Sequence, residues 1–288
     1  MLVLRDGRPV FEYGDLTQVS YLASARKSLL SMLYGPAVAK GAIRLDRTLA
    51  EMNFDDLGGL LPIERTATIR DLLMARCGNE GDASDKAPPR GSVKPGSYFL
   101  YNNWDFNALG EIYQRETGRD FYQAFSADIA QPIGLRDYDV ALNQTKAIRN
   151  DTHLSNWPAR HFLLSTRDMA ALGQLMLQKG QWQGRSVIPV AWVHTTTSPT
   201  TSAAEVARTS PFVNGLGYGW LWWIFDPAGN WPEPLKGGYT ASGACGQFIT
   251  VVPKLDMVVS HKVVAPSKLN VSPETYFGTI LPAALQMV

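Results

Sequence analysis

The strand-forming stretches of this chain lie at its two ends, and helix-forming periodicity fills the interval. Near the start, Leu2-Val3-Leu4 and Val10-Phe11 flank Asp6-Gly7, a dipeptide suited to a tight type I′ turn. Near the end, "QFITVV" (247–252) and "MVVSHKVV" (257–264) form a second hairpin pattern across 253–256. "LGYGWLWWIF" (216–225) reads as an aromatic strand. Strands at both ends with helices between them predict an α+β fold. One antiparallel sheet is formed from both chain ends, is flanked by helices, and carries an inserted, mostly helical region. The expected division is a sheet domain of residues 1–20 and 185–288, with the helical region at 21–184.

The helices are read from period and caps. Leu22, Leu29, Leu30 and Leu33 place one over 21–33, with Gly35-Pro36 expected to kink or restart it. Thr68-Ile69-Arg70-Asp71 has the pattern of a capping box. Residues 78–97 are rich in Gly, Ser, Asp and Pro and read as a loop. Phe106, Leu109, Ile112 and Tyr113 share one helical face, and Phe121, Phe125 and Ile129 another. Ser165-Thr166-Arg167-Asp168 caps a helix that runs through Leu177 and stops at Gly180.

Several function classes lose support early. The net charge of +1 offers no basic footprint for nucleic acid. No run of 18 apolar residues reads as a membrane span. His153, His161, His194 and His261 show no metal-ligand spacing, Cys-x-x-Cys is missing, and neither a phosphate loop nor Gly-x-Gly-x-x-Gly occurs, so no cofactor is expected. Cys77 and Cys245 are read as two small buried thiols rather than a disulfide framework. Residues 1–7 lack the pattern of a signal peptide, which places the protein in the cytoplasm unless an export segment precedes this sequence.

Chemistry enters at "SARKSLLSML" (24–33). With 18 serines and 10 lysines, a Ser-x-x-Lys pattern is expected about half a time by chance, so alone it equals a solvated pair on a helix. Context adds to it. Positions i and i+3 share a helix face, so Ser24 and Lys27 can touch. Ser24 falls near a helix start, where free N–H groups favour an oxyanion. A lysine desolvated there loses its charge more readily and can take the serine proton. Second, Tyr101-Asn102-Asn103 follows the rigid Pro95-Gly96 just before a helix. Tyr101 is placed to relay a proton, and Asn103 either to bond a substrate carbonyl or to hold Lys27. A buried tyrosine and an N-cap asparagine would be the bland account. Third, "GGYTASGACGQFITVVP" (237–253) brings a glycine-rich segment into a strand, where backbone N–H groups can complete an oxyanion hole with the N–H of Ser24.

The three signals in this order resemble the serine hydrolases of the class C β-lactamase and penicillin-binding-protein superfamily. The similarity is strongest to its esterase (family VIII carboxylesterase) and 6-aminohexanoate-dimer-hydrolase-like branch. It runs from about Val3 to Val264 and includes "RDGRPVFE", "GAIRLDRTLAE", "TIRDLLMARCG", "STRDMAALGQLML", "GQWQGRSVIPVAW" and "GYGWLWW". The resemblance implies Ser24 as acylated nucleophile, Lys27 as general base, Tyr101 as proton shuttle and Asn103 as the motif asparagine. It implies a small ester or amide substrate cleaved through an acyl-enzyme. The alternative it carries is a β-lactamase or DD-peptidase acting on β-lactams or peptidoglycan stem peptides. The third motif of the β-lactamases is Lys-Thr/Ser-Gly. It aligns best with Ala241-Ser242-Gly243, with Ala244 giving the oxyanion N–H, and Lys236-Gly237-Gly238 is the competing alignment. On the first alignment the lysine that anchors a β-lactam carboxylate is missing.

Only 23 residues precede Ser24, so an outer element is expected to be missing, leaving a sheet edge that favours a homodimer. Tyr218, Trp220 and Trp222 alternate and would present one aromatic face, either walling an acyl pocket or packing in the core. Asp151, His153 and His161 bracket a loop near the site and are read as surface or locally bonded groups, with no catalytic part. An α/β-hydrolase triad is excluded, since Gly-x-Ser-x-Gly does not occur.

Overall fold

The computed structural model describes residues 1–78, 87–150, 155–210, 215–264 and 269–287. Its centre is a seven-stranded antiparallel sheet. In chain order the strands are β1 (Leu2–Arg5), β2 (Arg8–Glu12), β3 (Leu216–Tyr218), β4 (Trp223–Phe225), β5 (Tyr239–Gly243), β6 (Gln247–Val252) and β7 (Met257–His261). Their order across the sheet is β2-β1-β7-β6-β5-β4-β3. The two ends of the sequence therefore meet inside one ladder, with Leu2 opposite Ser260 and Arg5 opposite Met257. Asp6 and Gly7 both take positive φ, 50° and 70°, as the type I′ turn requires.

Strand alternation fixes what each face packs against. On one side Leu2, Leu4 and Val258 meet α3 (Thr166–Leu177), the amphipathic helix capped by Ser165. Gly173 lets that helix approach closely, because a Cβ there would lie 2.5 Å from the Val258 side chain. On the other side Tyr276 stacks on Phe248 at 3.9 Å, and its hydroxyl bonds the Thr250 hydroxyl at 2.8 Å.

The helix that follows the nucleophile motif starts later and runs further than its sequence period predicts. Ser20–Tyr21 is a short strand on Leu163–Leu164, Ala23–Ala25 is a 3-10 turn, and α1 spans Arg26–Ala39. The turn is forced by Ala23, whose φ is +48°. Helix α1 passes through Gly35-Pro36 without a break. Gly35 sits under the Trp192 indole, and Trp192 Nε1 donates to the Ser31 carbonyl at 2.8 Å, one residue before the Met32 carbonyl that Pro36 leaves without its helical donor. Twelve of its 14 residues are buried, so α1 is a central helix rather than a one-sided one.

Two further expectations change. Residues 216–225 form a hairpin, β3 and β4, instead of one strand, because Leu221 turns the chain at φ +66°. The alternation of Tyr218, Trp220 and Trp222 therefore makes no single face; all three are buried in the core. Of the two cysteines, Cys77 is buried but Cys245 is exposed, since it sits at the β5–β6 turn with φ +64°. The Thr68 capping box is present, with its helix limited to Ile69–Leu73. Among the described residues no helix is long and apolar enough to cross a membrane.

Candidate active site

Three separate stretches of sequence converge around Ser24 and the Lys27 amine. Lys27 lies on the first turn of α1 and is 2% exposed. Its Nζ is 3.0 Å from Ser24 Oγ, 2.7 Å from the Tyr101 hydroxyl and 2.8 Å from Asn103 Oδ1. It also lies over the rings of Tyr101 and Phe106, at 4.2 and 4.6 Å from their centroids.

The two asparagines of the second motif divide the labour. Helix α2 (Asn103–Thr117) begins directly after Tyr101-Asn102. Asn102 is the N-cap and accepts from the Asp105 N–H at 3.1 Å. That leaves Asn103, the first helical residue, to turn its amide oxygen to Lys27. Tyr101 is held by aromatic neighbours from the sheet and from α2: Trp223 and Phe106, each 5.1 Å away, and Tyr218 at 6.1 Å. The aromatic segment thus steadies Tyr101 from behind. The Leu221 carbonyl at its turn also accepts from Ser28 Oγ at 2.6 Å, next to Lys27 in sequence.

The third stretch arrives on β5. Gly243, the last residue of that strand, packs directly against the Ser24 turn. A Cβ on it would lie 2.4 Å from the Leu22 carbonyl oxygen and 2.8 Å from the Ala25 nitrogen. Ser242 precedes it, opposite Phe248 in the ladder, and Ala244 lines the same cavity as Ser24. Lys236 is remote from this point. It precedes the far end of β5, about 13 Å or more along the strand from Gly243, and pairs with Glu233 at 3.6 Å. Ala241 is fully buried and opposite Ile249.

In front of Ser24 lies a cavity of about 640 Å³, within the range of small-molecule sites. Its walls include Trp104, Ser155 and Trp157 on one side and Tyr21, Arg149 and His161 on another. Sequence reasoning treated His161 as a surface or locally bonded group. It is 8% exposed and lines the cavity, with Nε2 3.0 Å from the Tyr21 hydroxyl. Burial, reinforced by the charge of Arg26, pushes its imidazole down to about 2, so it is neutral at ordinary pH. Asp151 and His153 lie outside the described residues. Arg26, Tyr21 and Arg149 were not singled out from sequence. Arg26 stands inside the Ser-x-x-Lys motif itself, but the other two are placed by contacts across more than a hundred residues.

The family model described as Beta-lactamase matches residues 1–261, and the chain belongs to that family. Among solved structures, it is similar to a Bacillus anthracis protein assigned as a 6-aminohexanoate-dimer hydrolase. The identity is 20%, the match covers 99% of this chain and 78% of that one, and the TM-score is 0.70. EstCE1, described as a hydrolase with promiscuous acyltransferase activity, is 14% identical over 99% of this chain and 92% of its own, with a TM-score of 0.69. A penicillin-binding protein from Bacillus halodurans is 15% identical over 99% and 94%, with a TM-score of 0.66. At these identities the likeness shows the shared fold. A search of curated protein sequences returned no significant match.

Proposed function

We propose that the protein is a serine hydrolase that cleaves esters or small amides through an acyl-enzyme on Ser24. The observation that carries this reading is the single Lys27 amine within hydrogen-bond distance of Ser24 Oγ, Tyr101 OH and Asn103 Oδ1. Burial opposes the charged form of an amine, and an uncharged Lys27 has a lone pair for the serine proton. Its two N–H bonds then serve Asn103 and Tyr101. As Ser24 Oγ forms its bond to the substrate carbonyl carbon, its proton passes to Lys27. The ring faces of Tyr101 and Phe106 favour the ammonium that results, so they help the transition state more than the ground state.

The carbonyl oxygen becomes an oxyanion facing the N–H groups of Ser24 and Ala244. Each donor in such a hole is worth roughly 3–4 kcal/mol. Collapse of the tetrahedral intermediate breaks the bond to the leaving group, which takes a proton from Tyr101, itself resupplied by Lys27. Water then attacks the acyl carbon, the carbon–Oγ bond breaks, the proton lost by water passes through Tyr101 and Lys27 to Ser24 Oγ, and the acid departs. No cofactor enters this sequence. Ala241 offers no cation where a β-lactam carboxylate would be held, which ranks esters and small amides above β-lactams and peptidoglycan stems.

The test is a pair of assays, a 4-nitrophenyl ester and a chromogenic cephalosporin, run on wild type, Ser24→Ala and Lys27→Ala. Ester turnover should vanish in Ser24→Ala and fall by roughly 10²–10⁴ in Lys27→Ala. Wild-type ester rates in the Ser24→Ala protein would remove the nucleophile, and selective cephalosporin turnover would reverse the order of substrates.

A further inference from the structure

The wall of the Ser24 cavity carries two guanidinium groups that no carboxylate among the described residues answers. Arg26 is 3% exposed. Its Nη2 donates to Asn107 Oδ1 at 2.6 Å and its Nη1 to the Arg160 carbonyl at 3.4 Å, while its buried Nε has no partner. Arg149 is exposed, with its guanidinium 4.6 Å from the centroid of the Tyr21 ring. Neither arginine makes an ion pair with a described residue, and both line the cavity. No aspartate or glutamate is among the described residues that line it. A buried charge without a counter-ion is costly, and proteins keep such a charge paired or put it to use. Both side chains line the cavity in front of Ser24.

Arg149 is also well placed to be used. It lies on the short strand Ile148–Arg149, opposite Ala159 on Ala159–Arg160, so its backbone is tied into a ladder. Tyr21 supports its guanidinium plane, and the Tyr21 hydroxyl is fixed in turn by His161. A planar fork held on a ring face is pre-organised to receive a carboxylate through two parallel N–H bonds.

We infer that the physiological substrate bears a carboxylate away from its scissile carbonyl, received by Arg149 and drawn in by the field of Arg26. This rests on the serine-hydrolase reading of Ser24 and names a substrate class within it. The subsite lies on the wall built by Tyr21, Arg149 and His161, whereas the anchor position of the third motif, on β5, is filled by the buried Ala241.

The experiment compares kcat/KM within two matched pairs of esters. Mono-4-nitrophenyl glutarate against 4-nitrophenyl pentanoate places the carboxylate on the acyl side. A 3-carboxyphenyl pentanoate against its methyl ester places it on the leaving side. Rates are corrected with Ser24→Ala protein, which also removes spontaneous hydrolysis. Wild type should favour the charged member of at least one pair by roughly tenfold or more. In Arg149→Ala the ratio should fall towards one, and in Arg149→Glu below one. A wild-type ratio near one in both pairs, or a preference that Arg149→Glu retains, overturns the inference. If none of the esters is turned over, the hydrolase reading fails by itself. Calorimetric titration with glutarate then decides the subsite: binding that disappears in Arg149→Glu supports it, and no binding to wild type overturns it.

Discussion

A methyl group at position 243 would meet backbone on two sides, the Leu22 carbonyl and the Ala25 nitrogen. Neither can yield without moving the turn that carries Ser24. Gly243→Ala should therefore shift β5 away from the nucleophile and withdraw the Ala244 N–H from the oxyanion. The expected outcome is a loss of roughly 10²–10³ in kcat, with the far-ultraviolet circular dichroism spectrum unchanged. Steady-state kinetics beside the spectrum checks it, and full activity would remove Ala244 from the hole. The motif residues around this point were legible in sequence because each motif is local: Ser24 and Lys27 share a helical turn, and Tyr101 and Asn103 flank one cap. The Tyr21, Arg149 and His161 wall was not, because the contacts that assemble it join residues 21, 149 and 161 across the fold. Periodicity carries no record of such contacts.

The segment 155–157 faces the cavity through Ser155 and Trp157, and a distant carboxylate fastens it there. Asp56 accepts from Trp104 Nε1 at 2.7 Å, Ser155 Oγ at 2.5 Å and the Asn156 N–H at 2.7 Å. The Trp157 indole adds a bond to the Asp55 carbonyl at 3.1 Å. Asp56 touches no reacting atom in the proposed chemistry, so it is a positioning residue. Removing its carboxylate takes the acceptor from Trp104 and Ser155 and loosens one wall of the pocket. Asp56→Ala should raise KM by roughly five- to tenfold, as binding energy is lost equally from substrate and transition state, while kcat moves far less. A fall confined to kcat would place Asp56 in the chemistry instead. The elements themselves show why sequence period sometimes misleads. An unbroken aromatic run over 216–225 fits one strand, but the fold needs a hairpin there to box Tyr101 and to bond Ser28 at its turn. Pro36 signals a break, but the buried helix α1 runs on through it to Ala39.

Across the molecule, the two residues proposed to form the oxyanion hole come from opposite ends of the sequence. Ser24 enters on the 3-10 turn just before the central helix, and Ala244 directly after a strand whose sheet is completed by residues 2–5 lying beside 257–260. Closing that sheet sets the distance between the two halves of the site. The arrangement of strands at both ends was readable, since strand alternation and the Asp6-Gly7 turn are strong local signals. The close approach of β5 to the Ser24 turn depends on Gly243 having no side chain where the Leu22 carbonyl and the Ala25 nitrogen leave no room for one. In the proposed function the whole assembly makes one serine hydroxyl accept an acyl group. The most direct measurement is intact-mass spectrometry of the protein quenched during turnover of 4-nitrophenyl pentanoate, followed by peptide mapping. The account predicts one added pentanoyl group per chain, located on Ser24 and lost again on standing in water. An adduct on another residue, or ester turnover that continues in Ser24→Ala protein with no adduct at all, would contradict it.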